Sequence, residues 1–226
     1  MVKLLNNSYS TVILFDIDYT LFDANKFRRK MFKIIKNKVV DRKIKNIDVV
    51  LRKAYIISRK DTGYFNLKMF LDQVATRFKM GLSVKKLEKE LLKEDLLTGN
   101  LYQEAKKVLR VLSKNKSLKI GIFSAGEIFQ RIKLKEVEDF LNKEHIYIFT
   151  VKKHRELPSI INRYRNCRLY IVDDMLKILS LAKTLNNNVF TIWIKRKKFA
   201  RKREEITDFV PDTTITNLRE VTKLVL

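Results

Sequence analysis

A parallel α/β sheet, interrupted once by a long helical segment, is the fold class that this sequence predicts. Three observations lead there. Five short apolar runs alternate with stretches of helical periodicity, the pattern of consecutive β-α-β units. Only 5 Gly and 2 Pro occur in 226 residues, too few for a loop-rich β-sandwich. Residues 24–100 hold no convincing strand, and no crossover between adjacent strands is that long.

The elements follow in order. The expected strands are Thr11–Phe15 (TVILF), Lys119–Phe123 (KIGIF), Ile146–Val151 (IYIFTV), Leu169–Val172 (LYIV) and Val189–Ile194 (VFTIWI). Each is rich in β-branched or aromatic residues and too short for a helix. Between them, Leu101, Ala105, Val108, Leu109 and Leu112 repeat at helical spacing, as do Leu157, Ile160, Ile161 and Tyr164, and Leu176, Leu179 and Ala182. Within the interruption, helices are expected over Phe27–Val40, Ile47–Ser58, Leu67–Phe78 and Val84–Leu92, punctuated by Gly63, Gly81 and Gly99. These helices are expected to build a small core of their own, drawing on Phe65, Phe70 and Phe78.

Composition bounds the class of protein. With 46% hydrophobic and 33% charged residues the chain should fold rather than stay disordered. The single Cys167 permits no internal disulfide, and its place before a strand marks it as structural, in a reducing compartment. Met1–Ser10 lack the apolar core of a secretory signal, and no apolar run spans a bilayer, so a cytoplasmic protein without a membrane role is expected. The charge balance, 49 Lys and Arg against 25 Asp and Glu, gives a net +24. It suits anionic partners, nucleic acid included, yet lysine is spread along the chain with abundant Asn and Ile, as compositional bias would leave it. Residues 24–100 are the more basic part, with 21 Lys and Arg against 8 Asp and Glu.

Chemistry concentrates just after the strands. Asp16, Asp18 and Thr20 follow the first, Ser124 the second, Lys152 and Lys153 the third, and Asp173 and Asp174 the fourth. In an open parallel sheet these carboxyl ends form one rim, where ligands bind. Clustered carboxylates repel one another unless a cation or shared proton relieves them. A hard divalent ion with oxygen ligands, such as Mg²⁺, does so and also favours phosphate.

These residues resemble the motifs of the haloacid dehalogenase (HAD) superfamily. ILFDIDYTLFD at 13–23 is similar to its Asp-x-Asp-x-Thr motif, IGIFSAG at 120–126 to its strand ending in Ser or Thr, and YIVDD at 170–174 to its acidic motif. The lysine motif falls at Lys152 or Lys153, where the Pro that often follows the family lysine is absent; Lys153 is preferred. PDTTITNLREVTKLV at 211–225 resembles the closing strand and helix. The resemblance implies a Rossmann-like core over 1–23 and 101–226, with an α-helical cap over 24–100. It implies Asp16 as nucleophile, Asp18 as general acid and base, and Mg²⁺ held by Asp16, the Asp18 carbonyl and Asp174, with Asp173 in support. It further implies Ser124 and Lys153 on the phosphoryl group, with Thr20, Lys152 and Arg28 among substrate-binding candidates.

Dehalogenases of the superfamily lack the second Asp, and transport ATPases carry Lys there. Asp18 therefore favours a phosphatase acting on a small phosphomonoester through an aspartyl-phosphate. Phosphoryl transfer by a mutase, or hydrolysis of a nucleotide or nucleic-acid end phosphate, would use the same site. A basic RNA-binding module with a vestigial site is the non-enzyme alternative, which the complete carboxylate set disfavours. Phe22, Asn25, Arg28, Arg29, Tyr64 and Phe65 are candidates to face the site from the cap. His145 and His154 are expected at the surface, and the basic run IKRKKFARKR at 194–203 in a loop, solvated or recruiting anions near the rim.

Overall fold

A computed structural model describes residues 11–40, 46–60, 62–126, 129–196 and 208–226. Among these residues six strands form one sheet: β1 (Thr11–Phe15), β2 (Leu118–Ala125), β3 (Ile146–Phe149), β4 (Arg168–Asp173), β5 (Phe190–Ile194) and β6 (Thr213–Ile215). Their order is β3-β2-β1-β4-β5-β6 and every pairing is parallel. The fold class predicted from the sequence is the one observed.

Side chains alternate across each strand, and the sheet is buried on both faces. Val12, Leu14, Leu169, Ile171 and Trp193 point to one side, against α8 (Lys153–Arg163) and α9 (Leu176–Leu185). Ile13, Phe15, Ile120, Ile122, Tyr170 and Val172 point to the other, the side of α6 (Ala105–Leu112), α7 (Phe129–Lys133) and α10 (Arg219–Val225). Gly121 sits where the sheet is tightest: a Cβ there would collide with the His145 backbone carbonyl and Leu14.

Among the described residues, five helices lie between β1 and α6: α1 (Ala24–Lys38), α2 (Ile47–Ile57), α3 (Leu67–Ala75), α4 (Val84–Leu91) and α5 (Glu94–Leu97). Asp23 caps α1, its Oδ1 accepting from the Asn25 and Lys26 amides at 3.0 and 2.9 Å. Asn66 caps α3 through the Met69 amide at 2.7 Å. Aromatic rings fill the space between the helices, with Tyr55 stacked on Phe65 at 4.9 Å and Phe32 on Phe70 at 6.1 Å. This packing does not form the separate core expected of the insertion. It runs without a break into the sheet, Phe65 meeting Phe129 of α7 at 6.0 Å within one apolar cluster.

Several boundaries move for local reasons. The helix expected from Leu101 starts at Ala105, because Leu101 pairs with Phe22 and the Tyr102 amide bonds to the Leu21 carbonyl. The first insertion helix stops at Lys38, where Val39 turns extended and pairs with Met80. His145 is not at the surface: it is fully buried, Nδ1 lying 2.5 Å from the Tyr164 hydroxyl. Cys167 packs against the α8–α9 cluster just before β4, at the end of the sheet away from the rim. Among the described residues no helix is long and apolar enough to cross a membrane.

Candidate active site

The carboxyl ends of β1, β2 and β4 and the start of α8 converge as the topology requires. The Asp16 amide continues the β1–β4 ladder by bonding to the Val172 carbonyl at 2.9 Å, which fixes its side chain at the rim. After Asp16 the chain makes a tight turn. The Tyr19 amide bonds to Phe22, those of Leu21 and Phe22 bond back to Ile17, and Tyr19 takes a left-handed φ of 65°. That turn aims Asp18 along the same rim.

Lys153, in the first turn of α8, is buried and reaches two carboxylates. Its Nζ donates to Asp16 Oδ1 at 2.9 Å and to Asp173 Oδ2. Burial opposes its charge, but Asp16 and Asp173 outweigh that and raise its pKa. The second oxygen of Asp173 accepts the Met175 amide at 2.8 Å. Asp16, Asp173 and Asp174 are all buried, with one carboxylate oxygen of each within 4.8 Å of the others. Burial pushes the Asp16 carboxyl up to about 6, with Lys153 opposing and Asp173 and Asp18 adding repulsion. Three carboxylates against one ammonium leave two negative charges there. The hard-oxygen donor set and that charge both fit one divalent cation such as Mg²⁺.

Asp18 stands apart from this triad. Its Oδ1 accepts from Lys133 Nζ at 2.7 Å and its Oδ2 from Gln130 Nε2 at 3.0 Å, both side chains from α7. Burial raises the Asp18 pKa, but Lys133 and Gln130 reverse the effect and leave it below the ordinary carboxylate value. Lys133 itself is buried among the rings of Phe22, Phe27 and Phe129, 4.7 to 5.9 Å from their centroids. Sequence reasoning missed it. The signal was present: Lys133 lies four residues after Phe129 and four before Val137, inside the apolar stripe.

A cavity of about 290 Å³ opens over these groups, lined by Asp16, Asp18, Ser124, Lys152, Lys153 and Asp174 from the rim. The insertion supplies Ala24, Tyr55, Arg59, Thr62, Gly63, Tyr64 and Phe65 to its wall, and Tyr19, Ala125, His154, Met175, Lys177 and Ile178 complete it. The Tyr64 hydroxyl donates to the Thr150 carbonyl at 3.1 Å, bracing the insertion against the β3–α8 loop. Of the two adjacent lysines, Lys153 touches carboxylates and Lys152 is an exposed part of the wall. Ser124 is buried on β2 and reaches the cavity.

Two expected substrate-binding residues are not brought to this cavity. Thr20 is fully buried beneath the turn, and its carbonyl accepts from Arg196 Nη2 at 2.8 Å. Arg28 donates to Asn25 Oδ1 at 2.8 Å and lies over the outer side of the Tyr55 ring, 5.2 Å from its centroid, so it lines the space between α1 and α2 and not the cavity. Phe22, Asn25 and Arg29 are also off the wall, whereas Tyr64 and Phe65 are on it. His154, expected at the surface, is half-buried in the wall. Of the basic run at 194–203, residues 197–203 lie outside the described residues. Arg196 of that run is buried, paired with Glu104 at 2.5 Å and stacked 3.7 Å over Tyr102.

No protein-family model and no curated protein sequence matches the chain. Solved structures do. A haloacid dehalogenase-like hydrolase from Burkholderia xenovorans superposes with a TM-score of 0.74 at 19% identity, covering 96% of this chain and 97% of that one. A HAD phosphatase from Thermococcus onnurineus gives 0.64 at 18% identity, over 95% and 97%. A HAD hydrolase from Bacillus subtilis, determined with magnesium bound, gives 0.63 at 14% identity, over 96% and 98%. The L-2-haloacid dehalogenase RSc1362 superposes at 0.62 with 16% identity, over 97% and 99%. The chain therefore has the HAD hydrolase fold along nearly its whole length, a fold shared by phosphatases and dehalogenases.

Proposed function

We propose that this chain, built on the HAD hydrolase fold, is a Mg²⁺-dependent phosphatase that hydrolyses a small phosphomonoester. The observation that carries the reading is the pairing of Asp16 with Asp18: one carboxylate sits in an acidic triad, the other two residues on in a separate cationic clasp. A dehalogenase needs the first and has no use for the second. Residues 24–100 act as the cap that closes one side of the cavity.

Asp16 attacks phosphorus through a carboxylate oxygen, the ester oxygen leaves, and an aspartyl-phosphate forms. Asp18 delivers the proton to the departing oxygen and later takes one from the attacking water. Lys153, already on Asp16, orients the nucleophile and offsets charge on the phosphoryl oxygens, with Ser124 donating a hydrogen bond beside it. Asp16, Asp174 and Asp173 would hold the metal, with the Asp18 backbone carbonyl. When bound, Mg²⁺ supplies Lewis-acid stabilisation of the phosphoryl charge. Tyr55, Tyr64 and Phe65 keep bulk water from the intermediate, and Arg59 and Lys152 present cations to the substrate.

The test is hydrolysis of a generic aryl phosphate by wild type and Asp16→Asn, each with Mg²⁺ and with excess EDTA. Release of phosphate that needs both Asp16 and the metal is expected. Turnover unchanged in Asp16→Asn would remove the nucleophile. Chloride release from a 2-haloacid, with no phosphate release across a panel of phosphometabolites, would favour a dehalogenase instead.

A further inference from the structure

The charge of the insertion is not evenly spread. Residues 26–60 hold 14 Lys and Arg and 2 Asp and Glu, so they account for nearly all its excess. Helix α1 carries seven cations and no acidic residue. Its apolar side, Phe27, Met31, Phe32 and Ile35, is buried, so its cations must emerge on the outer face. Arg29, Lys33 and Lys36, spaced four and three residues apart, form one stripe there. Across from them, α2 offers Arg52.

Between the helices lies a groove of about 340 Å³ lined by these cations and Arg28, sharing no wall residue with the catalytic cavity. Its one carboxylate, Asp48, is engaged by Lys36 at 2.6 Å. Arg29, Lys33 and Arg52 have no ion-pair partner among the described residues, and all three are exposed. Folding gains nothing from gathering like charges around a concavity, where they repel. An extended anion laid between the helices relieves them all.

We infer that the α1–α2 groove is a binding site for the phosphate backbone of single-stranded nucleic acid, separate from the catalytic cavity. A bilayer presents a plane, which meets a convex or flat face. A flexible strand can follow a concave one, its phosphates reaching cations on both walls. The one aromatic of the groove, Phe32, is buried and stacked on Phe70, so no ring is offered to a base. Recognition is therefore through phosphate alone, without base preference and with steep salt dependence.

The experiment measures anisotropy of a short labelled oligouridylate over a salt series, in EDTA so that hydrolysis plays no part. Wild type is compared with Arg29→Ala/Lys33→Ala/Arg52→Ala and with Lys85→Ala/Lys86→Ala/Lys89→Ala, an equal charge loss on the exposed face of α4. The groove triple should flatten the slope of log affinity against log salt by about 2, at roughly 0.7 per lost contact. The α4 triple should leave the slope near wild type. Equal effects of both triples would reduce the binding to net charge and overturn the site. So would an unchanged slope in the groove triple, or loss of binding to phosphatidylserine vesicles with oligouridylate binding intact. Because Asp16 is untouched, failure here and failure of the phosphatase reading are distinguishable.

Discussion

Lys133 does at one atom what Lys153 does at another, and the contrast assigns different work to the two aspartates. Lys153 is shared between Asp16 and Asp173, in a cluster that still carries excess negative charge. Lys133 serves Asp18, which also takes Gln130 and sits below its ordinary pKa. Under the proposed mechanism Asp18 must be protonated when the ester oxygen leaves, so its pKa sets the alkaline limb of the rate profile. Removing Lys133 removes the main influence lowering that pKa, and the pKa rises. Lys133→Met should therefore move the alkaline limb of kcat/KM to higher pH, measured on whichever phosphoester turns over. A residue that only filled space would lower the rate at every pH and leave the limb in place. The four carboxylates were legible in the sequence because each follows an apolar strand at the rim. Lys133 was harder to see: its place in the apolar stripe between Phe129 and Val137 points inward, but nothing in the spacing says which carboxylate it meets there. Arg59 carried no spacing signal at all, because its place depends on how the insertion folds over the sheet.

At the scale of elements, one buried ion pair ties four segments together. Arg196, just past β5, pairs with Glu104 at the start of α6 and donates to Thr20 in the turn after β1. Glu104 also accepts the Leu218 amide ahead of α10 at 3.5 Å. Burial pushes the Glu104 pKa up, but the hydrogen bond and charge of Arg196 prevail and hold it below the ordinary glutamate value. A carboxyl depressed on folding contributes stability above its unfolded pKa and loses it as pH falls through the folded one. Arg196→Met leaves Glu104 buried without its cation, which costs about 3 kcal/mol. Thermal melts at neutral pH should fall by about 6–12 °C. As pH falls through the depressed folded pKa and Glu104 becomes protonated in the wild type as well as in the variant, the gap between them should narrow. A gap constant with pH would mean that Arg196 acts by packing on Tyr102 alone. The strands themselves were readable because β-branched runs between turn signals admit few alternatives. This clamp was not, since Arg196 lies in a basic run whose composition points to solvent.

For the whole molecule, the question is whether the insertion is a second folding unit. Position in the sequence suggests that it is, since it enters and leaves the sheet region once. The packing argues otherwise. One apolar cluster holds Phe15, Ile122 and Val172 of the sheet together with Phe22, Phe27 and Met31 and, beyond them, Phe70, Val74 and Leu87. Phe65 and Phe129 meet across the boundary, and Tyr64 bonds to the β3–α8 loop. An insertion rich in like charges has little to hold it folded alone, because self-repulsion opposes compaction and the apolar contacts that offset it are shared with the sheet. Chemical denaturation should therefore give a single transition, with tryptophan fluorescence and far-ultraviolet circular dichroism coinciding. Trp193 is in the sheet on β5, whereas the dichroism weighs the helices, so the two signals sample both regions. Salt should move the common midpoint upward by screening the repulsion, without separating the two curves. A dichroism transition preceding the fluorescence change would show that α1–α5 unfold first, and the cap would then be a unit with its own stability.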